Sequence, residues 1–234
     1  MLKETLEGND DLLTRVEGPR NLAEIVYIKI EEAITNLVIK PGDEIQEARL
    51  AKQLGTSVTP VREALNRLAG DGLIVREPNK RPRVAKFSHK EIEDLYNIRG
   101  ALESLGIYLA AFHVKPDDIA YLRQIQEQGS RYVLSRKIEE YKAYNAHFHQ
   151  TILNISRNAL LVTMMAAISK KISLCISSTV LIPGGSEQGI KDHAEMINLL
   201  EKKDASAARE AMRNHIEVAK EAFLSNYRKD VSED

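Results

Sequence analysis

The chain has 234 residues, of which 43% are hydrophobic, and its 33 Lys and Arg residues nearly balance its 34 Asp and Glu residues. This length and composition allow two folded domains and exclude a disordered or low-complexity chain. Charged residues interrupt every apolar stretch before it reaches transmembrane length, and the first residues are of mixed charge, unlike a signal peptide. The single cysteine, Cys175, excludes an internal disulfide framework. We therefore expect a cytoplasmic protein that does not associate with a membrane.

The first 40 residues predict an arm followed by one helix. Residues 1–20 show no clear period and are expected to form a flexible arm. Asn21 and Glu24 have the spacing of a capping box, which predicts a helix start. The helix has one apolar stripe, which we expect to pack behind the elements that follow: Leu22, Val26, Ile30, Ala33 and Leu37. Pro41-Gly42-Asp43 ends this element with a turn.

Residues 49–70 have the pattern of a helix–turn–helix. Each helix has apolar residues at helical spacing, with Leu50, Ala51 and Leu54 on the first and Val61, Leu65 and Leu68 on the second. Gly55 lies where a helix stop needs a left-handed residue. Thr59 is predicted as the N-cap of the second helix, with Pro60 at its first position. The exposed N-terminal end of the second helix is polar and basic, as expected of a helix that enters the major groove of DNA.

A basic hairpin follows and strengthens the prediction of DNA binding. Between residues 49 and 86, nine Lys and Arg face three Asp and Glu, a net charge of +6, whereas the rest of the chain carries −7. Such a local positive field suits the phosphates of double-stranded DNA. The candidate DNA contacts are polar or basic residues of the two helices and the hairpin turn: Arg49, Ser57, Thr59, Arg62, Asn66, Lys80, Arg81 and Arg83. The alternative interpretation is a solvated helical hairpin with chance charge clustering.

Two strings in this segment, Thr59-Pro60-Val61-Arg62-Glu63-Ala64-Leu65 and Asp71-Gly72-Leu73-Ile74, resemble the winged helix-turn-helix of GntR-type transcription regulators. The resemblance runs from about Leu22 to Phe87 and implies a DNA-binding domain at residues 21–87. The chain departs from the family pattern at two positions. Val58 replaces a frequent arginine and removes one expected DNA contact. Arg81 stands where the wing commonly has glycine, which makes a tight turn harder.

Residues 88–234 predict an antiparallel all-α bundle. Six helical segments are expected near 89–113, 117–134, 137–154, 158–181, 187–202 and 204–228, with almost no strand signal between them. The whole chain is therefore predicted to be mostly α, with a small β-hairpin wing in its N-terminal domain. Bundles of this kind bury a cavity between their helices, where ligands and metals commonly bind.

Four side chains of the predicted bundle form a candidate metal site. Asn145 and His149 lie four residues apart and face the same way, while His193 and His215 lie on the last two helices. Three imidazoles and an amide oxygen suit zinc, nickel, cobalt or another divalent first-row metal. His147 is expected to face away from this group. The spacing alone leaves a second interpretation open, in which these histidines are hydrogen-bonded or lie on the surface.

The bundle also resembles a known family, the FCD effector domain of the FadR branch, from Asp94 to Arg213. The strings that carry this resemblance are Ile98-Arg99-Gly100-Ala101-Leu102-Glu103, Asn145-Ala146-His147-Phe148-His149, Asp192-His193 and Met212-Arg213-Asn214-His215. It implies a divalent metal held by Asn145, His149, His193 and His215, with Asn145 where many relatives have aspartate.

The same resemblance places Arg99 in the wall of an effector pocket, where its guanidinium is expected to grip a carboxylate. Tyr96 and Tyr144 are candidate hydroxyl donors to the same ligand. The alternative role for Arg99 is an ion pair with Glu103, one helical turn further along.

We therefore expect a homodimeric regulator, most simply a repressor, that a small carboxylate releases from its palindromic operator or retunes on it. Two alternatives stay open: a constitutive dimeric DNA-binding protein and a metal-dependent hydrolase.

Overall fold

The computed structural model describes residues 22–179 and 185–231. The predicted arm at 1–20, the capping residue Asn21 and the last two residues of the predicted helix 158–181 lie outside this range. Within it, nine helices and two strands form an N-terminal and a C-terminal domain. No helix in the described part of the chain combines the length and apolarity needed to cross a membrane.

The N-terminal domain is a winged helix-turn-helix, as predicted. It consists of α1 Leu22–Thr35, α2 Glu47–Leu54, α3 Val58–Gly70, β1 Ile74–Val75 and β2 Arg83–Val84. The two strands are antiparallel, with Ile74 opposite Val84. Its core consists of fully buried aliphatic side chains from α1, α3 and the segment after α3, among them Ile30, Ile34, Val61, Leu65, Leu68 and Leu73.

The apolar stripe predicted on α1 was partly wrong. The buried face consists of Ala23, Val26, Tyr27, Ile30 and Ile34. Leu22, which was predicted to be buried, is 53% exposed. The buried face of α1 is rotated from the predicted stripe because α3 packs on it. Tyr27 lies on this face, and its hydroxyl donates to the carboxylate of Asp71 at 2.7 Å. A hydropathy pattern does not anticipate a tyrosine that is buried with its hydroxyl satisfied.

The start of α3 also corrects a prediction. Gly55 has the left-handed φ of 65° that ends α2, as expected. However, the N-cap residue of α3 is Ser57 rather than Thr59, so Pro60 is the third residue of the helix and not the first. Proline is tolerated there because first-turn amides have no carbonyl partner within the helix. The turn between the two helices is therefore two residues shorter than the cap pattern indicated.

The wing turns without a glycine. The amide of Lys80 donates to the carbonyl of Glu77 at 3.2 Å, and Asn79 has a φ of 62°. A proline at the second position and a left-handed residue at the third are the requirements of a type II turn, which Pro78 and Asn79 meet. The left-handed position thus falls on Asn79, so Arg81 causes no strain in the turn.

The C-terminal domain is the predicted six-helix bundle. Its helices are α4 His89–His113, α5 Pro116–Leu134, α6 Ile138–Ile155, α7 Ala159–Thr179, α8 Gly185–Glu201 and α9 Ala205–Val231. A capping box of Ser88 and Glu91 starts α4, and Pro116 starts α5. The long helices α4 and α9 pack side by side. The core of the bundle contains Ile107, Phe148, Ile152, Met196 and Leu200, which are fully buried.

Helix α7 joins the two domains. Met165 and Ile172 on this helix lie in the core of the bundle, whereas Leu174, 3% exposed, lies in the core of the N-terminal domain. Lys170 lies between Met165 and Ile172 on the same helix. Its ammonium donates to Asp71 at 2.8 Å and contacts the hydroxyl of Tyr27. The domains are therefore connected by shared apolar packing as well as by an ion pair.

Candidate metal and DNA-binding sites

The three predicted histidines meet inside the bundle. His149 comes from α6, His193 from α8 and His215 from α9, and one ring nitrogen of each lies within 4.8 Å of the others. Their ring centroids are 5.0 to 5.3 Å apart. His149 and His193 are buried and His215 is nearly so. The structure thus brings together residues that are up to 66 positions apart in the sequence.

Each imidazole is held through Nδ1 by a partner elsewhere in the bundle. The three contacts are His149 Nδ1 with Glu103 Oε2, His193 Nδ1 with the Tyr144 hydroxyl at 2.7 Å, and His215 Nδ1 with Asp192 Oδ2 at 2.9 Å. The Nε2 atoms remain for a ligand, and those of His149 and His193 are buried with no hydrogen-bond partner. An imidazole that engages a polar partner through one nitrogen and presents the other is the usual arrangement of a metal ligand.

The protonation state of the buried histidines favours the binding of a cation. Burial, then the neighbouring His215, His149 and Arg99, hold the pKa of His193 well below the ordinary histidine value. Burial also lowers the pKa of His149, although Glu103 opposes the shift. Burial by itself raises the pKa of Glu103, but Arg99 and then His149 outweigh it and keep this carboxylate ionised. Neutral imidazoles beside a fixed carboxylate are ready to accept a metal without losing protons first.

The donor set therefore fits a divalent first-row metal. Three imidazoles of suitable spacing with unpartnered Nε2 atoms leave room for further ligands, as in open zinc sites. Asn145 is 8% exposed, lies one helical turn before His149 and lines the same cavity. His147 faces away, as predicted, and its Nε2 lies 2.8 Å from the exposed Tyr121 hydroxyl.

A cavity of about 640 Å³ opens beside His149. Arg99, Glu103, Asn145 and His149 form part of its wall, and α7 forms another part. Its wall also includes Thr35 and Asn36, from the end of α1 and the residue after it in the N-terminal domain. The cavity thus lies between the two domains rather than within the bundle alone.

Arg99 forms the ion pair with Glu103 and also lies in the cavity wall. Its Nε donates to Glu103 Oε1 at 2.6 Å, with both side chains buried, and the residue also lines the cavity. The two tyrosines lie elsewhere: among the described residues, neither Tyr96 nor Tyr144 belongs to the cavity wall. Tyr144 instead holds His193, and Tyr96 lies under the guanidinium of Arg99 at 5.7 Å from its ring centroid.

Sequence reasoning did not assign the partners that orient the histidines. Glu103 was considered as a partner of Arg99 and Asp192 as a carboxylate close to the histidines in sequence, but neither was assigned to hold an imidazole. The signal available for Asp192 was its position next to His193. Nothing in the sequence pairs it with His215, which lies on another helix, 23 residues further along the chain.

All eight predicted DNA contacts are exposed. On the recognition helix α3, Arg62 Nε donates to Glu47 Oε2 at 3.0 Å. The other carboxylate oxygen of Glu47 accepts from Arg76 at 3.0 Å, and Arg76 also donates to Asn66. Glu47 and Arg76 were not predicted as part of the site. They hold the groove-facing side chains of α3 in an ordered cluster.

The wing is organised in the same way. Glu44 lies 2.7 Å from Arg83 and 3.6 Å from Arg81, and Lys80 pairs with Glu77 at 2.6 Å. These side chains are about half exposed, so the pairs are weak and exchange readily for phosphate. Recognition helix and wing together present a cationic surface suited to a DNA groove.

Comparison with known proteins supports both domains. The family model described as "Bacterial regulatory proteins, gntR family" matches residues 22–84, and the model "FCD domain" matches residues 94–218. The segment between the two matches, residues 85–93, contains the boundary between the winged domain and the start of the bundle.

Relatives and solved structures agree with these matches. The chain is 26% identical over 221 residues to the "Probable D-xylose utilization operon transcriptional repressor" of Paenarthrobacter nicotinovorans, covering 90% of this chain and 91% of the relative. It is 34% identical over 134 residues to the Nta operon transcriptional regulator of Aminobacter aminovorans, covering 57% of this chain and 63% of that one. The structure of E. coli McbR/YncC has the same fold, with a TM-score of 0.77 at 22% identity, covering 88% of this chain and 99% of that one.

Proposed function

The chain belongs to the GntR family of transcription regulators and carries an FCD domain. From this premise we propose that it is a homodimeric, metal-binding repressor of a metabolic operon. A small carboxylate would release it from a palindromic operator. The matched families and relatives are regulators, so the chain is a regulator and the hydrolase alternative is not retained. The finer points of the proposal, which are the effector, the metal and the dimer, rest on the geometry described above.

The metal would be held by the Nε2 atoms of His149, His193 and His215 and by the amide oxygen of Asn145. When bound, it supplies positive charge and open coordination positions for an anion. Asn145 contributes no negative charge, in contrast to the aspartate of many relatives. This substitution leaves the site more positive and favours an anionic effector.

The observation that carries the proposal is the shared cavity. Arg99 and His149 of the bundle and Thr35 and Asn36 of the N-terminal domain line one space. A ligand that fills it contacts both domains, so its binding free energy depends on how they are placed. A ligand shifts a conformational equilibrium only by such a difference in affinity.

Helix α7 offers a route from the cavity to the DNA. Ser169 and Ile172 line the cavity, and the intervening Lys170 binds Asp71, the residue that follows the recognition helix. A displacement of α7 by the effector therefore acts on the end of α3. In a dimer this displacement changes the spacing of the two recognition helices and lowers affinity for an operator with fixed half-site spacing.

The outer face of α4 supports a dimer of the bundle. Ile98, Leu105 and Phe112 are 50%, 43% and 62% exposed and lie seven residues apart, so they form one apolar stripe on the helix. A second copy of the chain would cover this stripe. Two recognition helices on a palindrome then read twice as many base pairs as one, which a single short helix requires for specificity. Repression follows because occupancy of a promoter alone blocks transcription.

The test combines elemental analysis with DNA release. We expect about one transition metal per chain, lost in His149→Ala and His215→Ala and kept in the matched control His147→Ala. Asn145→Asp should bind zinc more tightly in competition with a chelator, because it adds a charged ligand. A panel of small carboxylic acids should release the wild-type protein, but not His149→Ala, from a duplex selected by the protein itself. DNA affinity indifferent to both metal and acids would instead favour the constitutive DNA-binding alternative.

A further inference from the structure

We propose that Lys142 is a second anion anchor in the interdomain cavity and that the effector is consequently a dicarboxylic acid of about four to six carbon atoms. One carboxylate would lie at the end formed by Arg99 and His149, and the other would bind the ammonium of Lys142. The inference rests on the proposed function and adds to it the chemical class of the ligand.

Lys142 is held at the cavity rather than in solvent. It belongs to the cavity wall, and its side chain is only 14% exposed. Its Nζ donates to Glu139 Oε1 at 2.9 Å, whereas the side chain of Glu139 is 58% exposed. A lysine side chain loses considerable rotamer freedom when it is confined in this way. The exposed Glu139 can move into water at little cost and leave the ammonium to a ligand.

The position of Lys142 on α6 sets the length of the ligand. Lys142 and His149 are seven residues apart, so they lie on the same face of the helix and about 10 Å apart along its axis. Asn145 lies between them on the cavity side. Charge-assisted hydrogen bonds of about 2.8 Å at each end leave room for a dicarboxylate of about four to six carbons between the anchors.

The cations and anions of the cavity wall balance, so the charge for a dianion would come from the bound metal and from the release of Lys142 from Glu139. The ionisable residues that line it are Arg99, Glu103, Glu139, Lys142, His147 and His149. Glu103 already neutralises Arg99 within the buried pair, and Glu139 neutralises Lys142 at the more exposed position. A second carboxylate on the ligand can replace Glu139, while a monocarboxylate cannot bind at both ends. Lys142 thus acts as a specificity-determining residue.

The experiment is calorimetric titration of the full-length, zinc-loaded protein with matched acids. Succinate is compared with butyrate and glutarate with valerate, because each pair has the same carbon number and differs by one carboxylate. We expect the dicarboxylate to bind at least about tenfold more tightly. Lys142→Met keeps most of the side-chain volume without the charge and should remove this difference while leaving the monocarboxylate affinity unchanged. Lys142→Arg should restore it.

Lys137→Met is the matched control, since Lys137 also pairs with a glutamate near the start of α6 but does not line the cavity. It should keep the preference for the dicarboxylate. Zinc content and circular dichroism show that each variant is folded and loaded. Equal affinity for the paired acids, or an undiminished preference in Lys142→Met, would overturn the assignment of Lys142 while leaving the carboxylate effector in place. Failure of all four acids to bind would overturn both.

Discussion

At the scale of single residues, the candidate metal site owes its order to the partners of its histidines. If the Nε2 atoms held a metal, each Nδ1 would carry the proton and face its partner, which is Glu103, Tyr144 or Asp192. Burial raises the pKa of Tyr144, so its hydroxyl stays neutral and accepts this bond. The three rings are therefore oriented before any metal arrives, which lowers the cost of ordering the site.

The buried histidines make the metal-free protein sensitive to acid. The pKa of His193 and of His149 is lower in the folded chain than the ordinary value of about 6.5, so the unfolded chain takes up more protons below that pH. Stability should fall as the pH drops from 7.5 to 5.5, with both histidines contributing. Chemical denaturation in the presence of a chelator measures the change. His193→Phe should reduce it by about half, and a pH-independent free energy of unfolding would contradict the prediction.

Arg62 is the recognition-helix residue whose loss should weaken DNA binding most clearly. It is exposed at the N-terminal half of α3, where Glu47 holds its guanidinium. Arg62→Ala should reduce affinity for a selected duplex at least about tenfold, since a good arginine–base contact is worth about 1–3 kcal/mol. Fluorescence anisotropy at fixed salt provides the measurement. Arg131→Ala, an exposed arginine on α5, should bind like the wild type, and equal loss in both variants would mean a non-specific charge effect.

Individual residues show what the sequence predicted and what it could not. The i, i+4 spacing placed Asn145 and His149 on one face, and helix geometry is local enough for that to hold. The role of Tyr144 depended on which helix packs against α6, so a predicted effector contact is seen bonded to His193 instead. Thr59 matched the statistics of an N-cap, but the structure starts α3 after Ser57, because the turn after Gly55 is shorter than the pattern suggested.

At the scale of helices, α4 connects the effector site to the expected dimer interface. Arg99 points into the bundle, and its neighbour Ile98 begins the apolar stripe on the outer face. A small rotation of α4 on ligand binding would therefore change the contacts with the second copy of the chain. Rotations of packed helices at subunit interfaces are a common form of allosteric change.

The stripe gives a direct test of the dimer. Leu105→Glu places a charge at its centre, which should dissociate the dimer and reduce affinity for a palindromic duplex by at least about a hundredfold, since one half of the contacts is lost. Analytical ultracentrifugation and anisotropy measure the two effects. Leu134→Glu is the matched control, because Leu134 is 84% exposed on α5. A Leu105→Glu protein that remains dimeric would place the interface elsewhere.

The contact between α7 and the winged domain should appear as a coupling energy. Lys170→Met and Asp71→Asn each break the same ion pair, so their effects on the free energy of unfolding should be non-additive by about 1 kcal/mol. Denaturant titration of the two single variants and the double variant completes the cycle. The pair of Lys142→Met with Asp71→Asn should be additive. Additivity in the first cycle would mean that the ion pair does not couple the domains.

The helices themselves were predictable for a physical reason. Helix breakers such as Gly55 act through the local backbone, so the end of α2 and the bundle helices were expected at nearly the observed residues. The buried face of α1 was not, because Tyr27 is buried only by virtue of Asp71 and Lys170. The hydropathy period of a helix cannot predict tertiary partners of this kind.

At the scale of the whole molecule, the shared helix α7 should make the two domains unfold together. Leu174 belongs to the core of the N-terminal domain and Ile172 to that of the bundle. We expect a single calorimetric transition, raised by about 5–10 °C when zinc is present at about a hundred times its dissociation constant. Leu174→Ala should cost about 2–5 kcal/mol and separate an early transition of the winged domain. Two transitions in the wild type would show that the domains are independent.

The position of Leu174 also limits how this protein can be re-engineered. The domain boundary at Phe87 and Ser88 suggests a fusion point for chimeric biosensors. In these, the bundle of one regulator is fused to the DNA-binding domain of another. Cutting there transfers the winged domain without Leu174, the side chain that completes its core. A functional hybrid therefore needs a recipient α7 with an apolar residue and a lysine at the matching positions. Exchangeable modules in this protein are delimited by packing and not by the linear boundary.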